Sequence, residues 1–309
     1  MAQKTNAVTG AFGYIGRHIT ERLLRDGRRV KTITTHPDKP NPFGPLIHAQ
    51  PYNFQHPGRL IQALQGVDCL YNTYWIRFEH SGLTYQQAVQ NTEILFQCAV
   101  KASVRKIVHI SVTHASTASG LPYYRGKGLQ EDLLKSAGLD YAIVRPTLVF
   151  GKEDILVNNI AWLIRKFPIF PIPARGQFRL QPVYVRDLAS IAVSQGLALG
   201  SGQCDAVGPE TFSYSEFAKL IASAVGRRVL FVPVPPFTAI ALGKLIGLFL
   251  NDVILTRNEL RGLMNEHLTS SQTPNGPTKL SDWLQENRLT IGSRYSSELD
   301  RHFRWSSHS

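Results

Sequence analysis

Short apolar runs alternate with amphipathic stretches through the first half of the chain. The runs Thr5–Val8, Arg29–Thr34, Cys69–Thr73, Lys106–Ser111 and Tyr141–Val144 are rich in Val, Ile or Tyr and read as strands. Between them, apolar positions recur at helical spacing over Tyr14–Arg25, Arg59–Leu64, Thr84–Ala102 and Tyr123–Ala137. Gly27, Gly66 and Gly138 each follow one of these helical patterns, where a left-handed glycine ends a helix. Strands alternating with helices over short connections predict an α/β fold, a doubly wound parallel sheet of the Rossmann kind.

After Gly151 the pattern changes. Pro168, Pro171 and Pro173 interrupt one stretch, and Pro233, Pro235 and Pro236 another. Helical patterns follow at Tyr214–Val225, Phe237–Leu250, Thr256–Glu266 and Lys279–Glu286. The expected organisation is a dinucleotide-binding domain over residues 1–150, also taking in 182–205. A smaller, mostly helical, substrate-binding lobe over 151–309 is interleaved with it and expected to close over the carboxyl edge of the sheet. Phe231–Leu250 is the most apolar segment, but its uninterrupted helical part is about fourteen residues, too short to span a bilayer. It reads as a helix that packs inside the lobe.

Composition adds exclusions. Apolar residues make up 43% and charged residues 18% of the 309, ordinary values for a folded chain, so disorder is set aside. The three cysteines are odd in number and form no CxxC pair, so neither a disulfide framework nor a metal site is expected. Met1–Val8 holds no long apolar run, so no signal peptide is read and the cytoplasm is the expected compartment. The net charge of +12 comes from scattered cations, with no basic run of the kind that grips nucleic acid. It leaves open a contact with a membrane surface or a larger assembly.

The chemistry begins at Thr9-Gly10-Ala11-Phe12-Gly13-Tyr14-Ile15-Gly16, a GxxGxxG loop between the first strand and the first helix. Gly10 permits the turn, Gly13 lets a pyrophosphate approach the backbone, and Gly16 lets helix and strand pack closely. The helix N-terminus, continuing into Arg17, offers amides and a positive dipole to the phosphates. The predicted cofactor is a nicotinamide dinucleotide. The second strand ends in Thr34-Thr35-His36, where an NAD site usually carries an acid. Without one, a 2′-phosphate meets no repulsion, and Arg17, His36 and Lys39 are nearby cations, so NADP is expected ahead of NAD.

Tyr123-Tyr124-Arg125-Gly126-Lys127 fits YxxxK at the start of a helix. Residues four apart share a helix face, and an ammonium beside a phenol favours the phenolate. Such a pair moves a proton while a hydride moves. Thr113, just beyond the strand Lys106–Ser111, could orient a substrate oxygen, as could Ser111.

With these pieces in place, the sequence resembles the short-chain dehydrogenase/reductase superfamily in its extended or atypical branch, the NAD-dependent epimerase/dehydratase group. The matching segments are TGAFGYIG at Thr9–Gly16, GVDCLYNT at Gly66–Thr73, HISVT at His109–Thr113, YYRGK at Tyr123–Lys127, RPTLVFG at Arg145–Gly151 and QPVYVRDLA at Gln181–Ala189. The later segment VGPETFSYSEF, Val207–Phe217, is similar to a subgroup near the nucleotide-binding accessory subunit of respiratory complex I. The resemblance implies Tyr123 as proton donor or acceptor, Lys127 also bonded to the nicotinamide ribose, and Thr113 in the usual Ser/Thr place. It also implies Asn72 and Thr73 beside the ribose, Pro146 and Leu148 near the nicotinamide, and Asn53 where relatives often carry Asp near the adenine. Tyr74 and Trp75 replace the small residues that usually follow Asn72, which narrows the nicotinamide side.

The expected function is hydride transfer to or from a carbonyl or hydroxyl of a small or lipid-like substrate. The alternative is a non-catalytic NADP(H)-holding subunit of an assembly, and a third is a sugar-nucleotide epimerase or dehydratase.

Overall fold

The structure, a computed structural model, describes residues 4–302. The chain runs β1 (Thr5–Thr9), α1 (Tyr14–Arg25), β2 (Arg29–Thr34), β3 (Ala49–Pro51), α2 (Pro57–Leu64), β4 (Val67–Asn72), α3 (Tyr85–Lys101), β5 (Lys106–Ile110), α4 (Pro122–Lys135) and β6 (Asp140–Pro146). It then leaves this body for β7 (Leu148–Phe150), α5 (Leu156–Lys166), β8 (Ile169–Pro173), β9 (Arg179–Leu180) and β10 (Pro182–Tyr184). It returns as α6 (Val185–Leu197) and β11 (Gly202–Ala206). The remainder is β12 (Phe212–Ser213), α7 (Tyr214–Ala224), β13 (Leu230–Val234), α8 (Pro236–Leu250), α9 (Arg257–Met264), α10 (Leu280–Glu286) and α11 (Glu298–His302).

Two compact units result: residues up to Pro146 with Val185–Ala206, and Thr147–Tyr184 with the residues from Val207 onward. The first is the Rossmann unit. Its seven strands lie in the order β11-β6-β5-β4-β1-β2-β3, and every pair is parallel. All five residues of β5 are buried, because helices cover both faces of the sheet. Leu60 and Leu64 of α2 and Leu95, Phe96 and Ala99 of α3 form one apolar layer with Ala7, Leu70, Ile107 and Ile143 of the strands. α1 packs against α6. The strand order reverses between β1 and β4, so the loops after them open a crevice at the carboxyl edge.

The second unit has its own core, centred on Phe150, Ile160, Phe170, Phe217, Ile221 and Trp283. It is less helical than the sequence pattern suggests. β7 pairs with β10, β8 with β13 and β9 with β12, each in a two-stranded sheet. Of the prolines that read as breakers, Pro171, Pro173 and Pro233 sit within β8 and β13, a two-stranded sheet whose outer edges tolerate a missing N–H; Pro235 and Pro236 lead into α8. α8 also departs from its expected role. It buries only Ala239, Gly243 and Gly247 and exposes Phe237, Leu245, Leu248 and Phe249.

Among the described residues no helix is long and apolar enough to cross a membrane, and no group of three or more His, Cys, Asp or Glu is placed to hold a metal. Cys69 and Cys98 are buried and Cys204 is half-buried, all as free thiols.

Candidate active site

The glycine loop is shaped by what its glycines lack. Gly10 takes φ +64°, a left-handed turn that directs the chain from β1 into α1. A Cβ on Gly16 would lie 2.3 Å from the Gly10 carbonyl oxygen, so α1 seats directly on the loop. The Gly13 amide donates to Gly10 O at 2.8 Å and the Arg17 amide to Gly13 O at 3.1 Å. No side chain caps α1, so the amides of its first turn stay directed at the crevice. That cradle of backbone N–H groups and helix dipole suits a pyrophosphate. Thr32 holds the loop from beneath: its hydroxyl donates to Val8 O and accepts from the Ala11 amide. Phe12, Tyr14 and Ile15 line the turn half-exposed, and Arg17 pairs with Glu21 at 3.0 Å.

Next to this loop, the end of β4 is stitched to the end of β1. The Thr73 hydroxyl donates to Thr9 O at 2.6 Å, and the Thr73 amide donates to the Thr9 hydroxyl at 2.7 Å. Asn72 is fully buried. Its Oδ1 accepts from the Thr9 hydroxyl and the Tyr74 amide, so its Nδ2 must donate to His109 Nδ1 at 3.0 Å. His109 is therefore a neutral imidazole carrying its proton on Nε2, and burial pushes its pKa well down. Asn72 thus ties three strand ends together, and its side chain is spent inside the fold. Thr73 is half-buried beside Gly10 and faces the loop.

At the far side of β2, Thr35 is exposed and His36 half-exposed, its amide donating to the Thr34 hydroxyl at 3.2 Å. β3 pairs with this end of β2, Thr34 opposite Pro51. Asn53 sits just past that pair at φ +50°, its Nδ2 turned to Pro51 O. All three residues are at the carboxyl edge.

Two of the three catalytic candidates, Tyr123 and Lys127, lie on α4. Tyr123, one residue past Pro122 at its start, is half-exposed, whereas Lys127, one turn on, is buried. The Lys127 ammonium donates to Ile110 O at 2.8 Å and lies 4.9 Å from the centroid of the Trp75 ring. Trp75 stacks on Tyr85 and meets Tyr123 edge-on at 5.9 Å. Gly126 makes room for this indole, since a Cβ there would lie 2.5 Å from Trp75 Cη2. Thr113 is buried, its hydroxyl 3.4 Å from Pro146 O, which places Pro146 beside it. Ser111 is corrected from a substrate contact to a structural one: its hydroxyl donates to buried Glu131 at 2.5 Å. Glu131 also accepts both arms of Arg145, and its charge acts on Lys127. Glu131 escaped the sequence reading, although its place four residues after Lys127 on one helix face was a usable sign. Leu148 opens β7 in the second unit and is buried in that unit's core.

Burial pushes the Lys127 pKa down to about 7, against the opposing pull of Glu131. The unfolded chain, with an ordinary lysine near 10.5, binds more protons than the fold between those values. Stability from this group is therefore present above pH 10.5 and lost as pH falls towards 7. Lys127→Met abolishes the titration. Urea unfolding from pH 7 to 10 should find the wild type gaining on the variant as pH rises, by on the order of 2–4 kcal/mol. Parallel curves would place the ammonium in water.

Comparisons with known proteins bear on the fold and on the cofactor. Residues 10–156 match the NAD(P)H-binding family. The chain therefore carries an NAD(P)H-binding domain of the Rossmann type. It is homologous to the mitochondrial NADH dehydrogenase [ubiquinone] 1 alpha subcomplex subunit 9 of Rattus norvegicus, 25% identical over 315 residues, covering 96% of this chain and 81% of that protein. The fold matches a nucleoside-diphosphate-sugar epimerase from Staphylococcus aureus with TM-score 0.68 at 19% identity, over 91% of this chain and 99% of that one. It also matches Citrobacter sp. triphenylmethane reductase complexed with NADP(H), with TM-score 0.73 at 16% identity over 91% and 99%. The resemblance to the complex I accessory subunit is thus borne out, and the fold is one shared with the epimerase/dehydratase group.

Proposed function

We propose that the protein is an NADP(H)-dependent reductase that acts on the carbonyl of a small, largely apolar substrate. The observation that carries this reading is the half-exposed Tyr123 on one helix turn with the buried Lys127. Bound NADPH supplies the hydride. The chain supplies the remainder: the loop at Gly10, Gly13 and Gly16 holds the pyrophosphate, Thr73 lies beside it, and Tyr123 gives its phenolic proton to the substrate oxygen. Lys127 favours the phenolate left behind. Thr113, just past β5, orients the oxygen. Trp75 and Tyr85 wall the approach to Tyr123 with aromatic surface, which suits an apolar carbonyl better than a sugar nucleotide. The test is NADPH consumption against a panel of aldehydes, ketones and quinones. Turnover with one or more of them, absent in Tyr123→Phe, is expected; a tightly held NAD that never exchanges would speak for an epimerase instead.

NADPH should bind more tightly than NADH, because no carboxylate stands at Thr34–His36. Titration of both reads the preference, and Thr35→Asp should move it towards NADH. Tighter NADH in the wild type would overturn this assignment.

A second reading, an accessory subunit that holds nucleotide without turning it over, has its own support. Trp75 covers Lys127, and the rat relative carries a subunit's name. Under it Tyr123 is chemically idle and the protein binds a larger assembly.

A further inference from the structure

α8 packs inside out. Its buried positions, Ala239, Gly243 and Gly247, recur every four residues and include both of its glycines. A Cβ on Gly247 would lie 2.5 Å from Asp252 O, so that position must stay glycine. The stripe Phe237, Ala241 and Leu245 lies two residues out of step, about 200° around a helix, and so on the opposite side. Leu248 and Phe249 continue it. Phe237, Leu248 and Phe249 are 74%, 80% and 83% exposed. A helix that buries its glycines and offers its phenylalanines to the outside leaves an apolar face of a kind that marks a binding surface.

Charge decides what covers it. From Gly226 to Asn258 the chain carries Arg227, Arg228, Lys244 and Arg257, and its lone acid is Asp252. Asp252 is buried and accepts from the Tyr295 hydroxyl and the amides of Glu298 and Leu299. Lys244 is exposed on α8 itself. Where α8 begins, an open groove of about 330 Å³ runs against α9, floored by Phe237, Ile240, Leu260 and Met264 and rimmed by the exposed Arg257 and Arg261. Glu259, between those arginines, closes the cap of α9 on the Thr256 amide. Apolar floor with cationic rim is the chemistry of an anionic amphiphile. A protein partner would ask for roughly one hydrogen bond per 100–200 Å², and from Ala239 to Leu250 the only polar side chain is Lys244. α8 has 15 residues, about 22 Å of helix, too short to cross a hydrocarbon layer of roughly 30 Å.

We propose that α8 is an interfacial helix that lays its Phe237–Phe249 face on an anionic lipid bilayer, with Lys244, Arg257 and Arg261 meeting the headgroups. The protein is a peripheral membrane protein through its second unit. The test is co-flotation of the full chain with vesicles of phosphatidylcholine, alone or mixed with phosphatidylglycerol. Flotation with the mixed vesicles only, weakened by salt, is expected. Leu248→Asp with Phe249→Asp should abolish it, and Arg257→Gln with Arg261→Gln should weaken it about thirtyfold. Thermal unfolding like the wild type confirms that these surface variants fold. No flotation with mixed vesicles, or flotation indifferent to Leu248 and Phe249, would overturn the proposal. So would sedimentation of the wild type as a dimer that the Leu248/Phe249 variant dissolves, since the face would then belong to a second copy.

Discussion

Tyr123→Phe is expected to lower NADPH-dependent turnover by at least about a hundredfold, the usual loss on removing a general acid. The change takes away one oxygen and keeps the ring, so the edge-on contacts with Trp75, Tyr85 and Tyr124 remain. Unfolding and NADPH affinity should therefore stay close to the wild type. The loss should fall on kcat, because the proton is transferred only in the reacting complex. A variant that keeps its turnover would remove Tyr123 from the chemistry while leaving the nucleotide site intact. One that loses turnover together with stability would reveal a packing role instead.

Gly13→Val should weaken dinucleotide binding by at least about a hundredfold, near 3 kcal/mol, with the fold kept. A Cβ at Gly13 would lie 3.2 Å from Gly10 O, which a small shift of the loop accommodates. The rest of the side chain then occupies the mouth of the amide cradle, where the pyrophosphate belongs. Gly16→Ala is the contrasting control. Its methyl, 2.3 Å from Gly10 O, forces α1 off β1, so binding and stability should fall together, the latter by about 1–3 kcal/mol. Titration with NADPH and urea unfolding of both variants separate a blocked ligand from a broken scaffold. Unchanged affinity in Gly13→Val would place the cofactor elsewhere.

Much of the Rossmann unit could be read in advance because its signals are local. The Val- and Ile-rich runs that become β1, β2, β4, β5 and β6 are buried on both faces, and the helices between them repeat their apolar positions. The glycine loop and YxxxK are contiguous, so their spacing carried their geometry. The other strands and two side chains were harder to read, for separate reasons. β3 has three residues, and β11, an edge strand, is only partly buried, so neither carries a strong pattern. β13 hides behind prolines that an edge strand tolerates. Glu131 looks like a surface acid until β5 and β6 bring Ser111 and Arg145 to it. Asn72 looks like a ligand contact until Thr9, Tyr74 and His109 use up its amide. α8 misled for a different reason: apolar side chains all round conceal which stripe is packed, and only the fold reveals that it is the small one.

The chain's nucleotide site and its chemistry are separable, and complementation separates them most directly. A strain deleted for the gene is supplied with the wild type, Gly13→Val or Tyr123→Phe, each confirmed as folded. The reductase account predicts rescue by the wild type alone, because both the cofactor cradle and the Tyr123 proton are needed. Full rescue by Tyr123→Phe, with none by Gly13→Val, would contradict it and leave a protein whose nucleotide is structural.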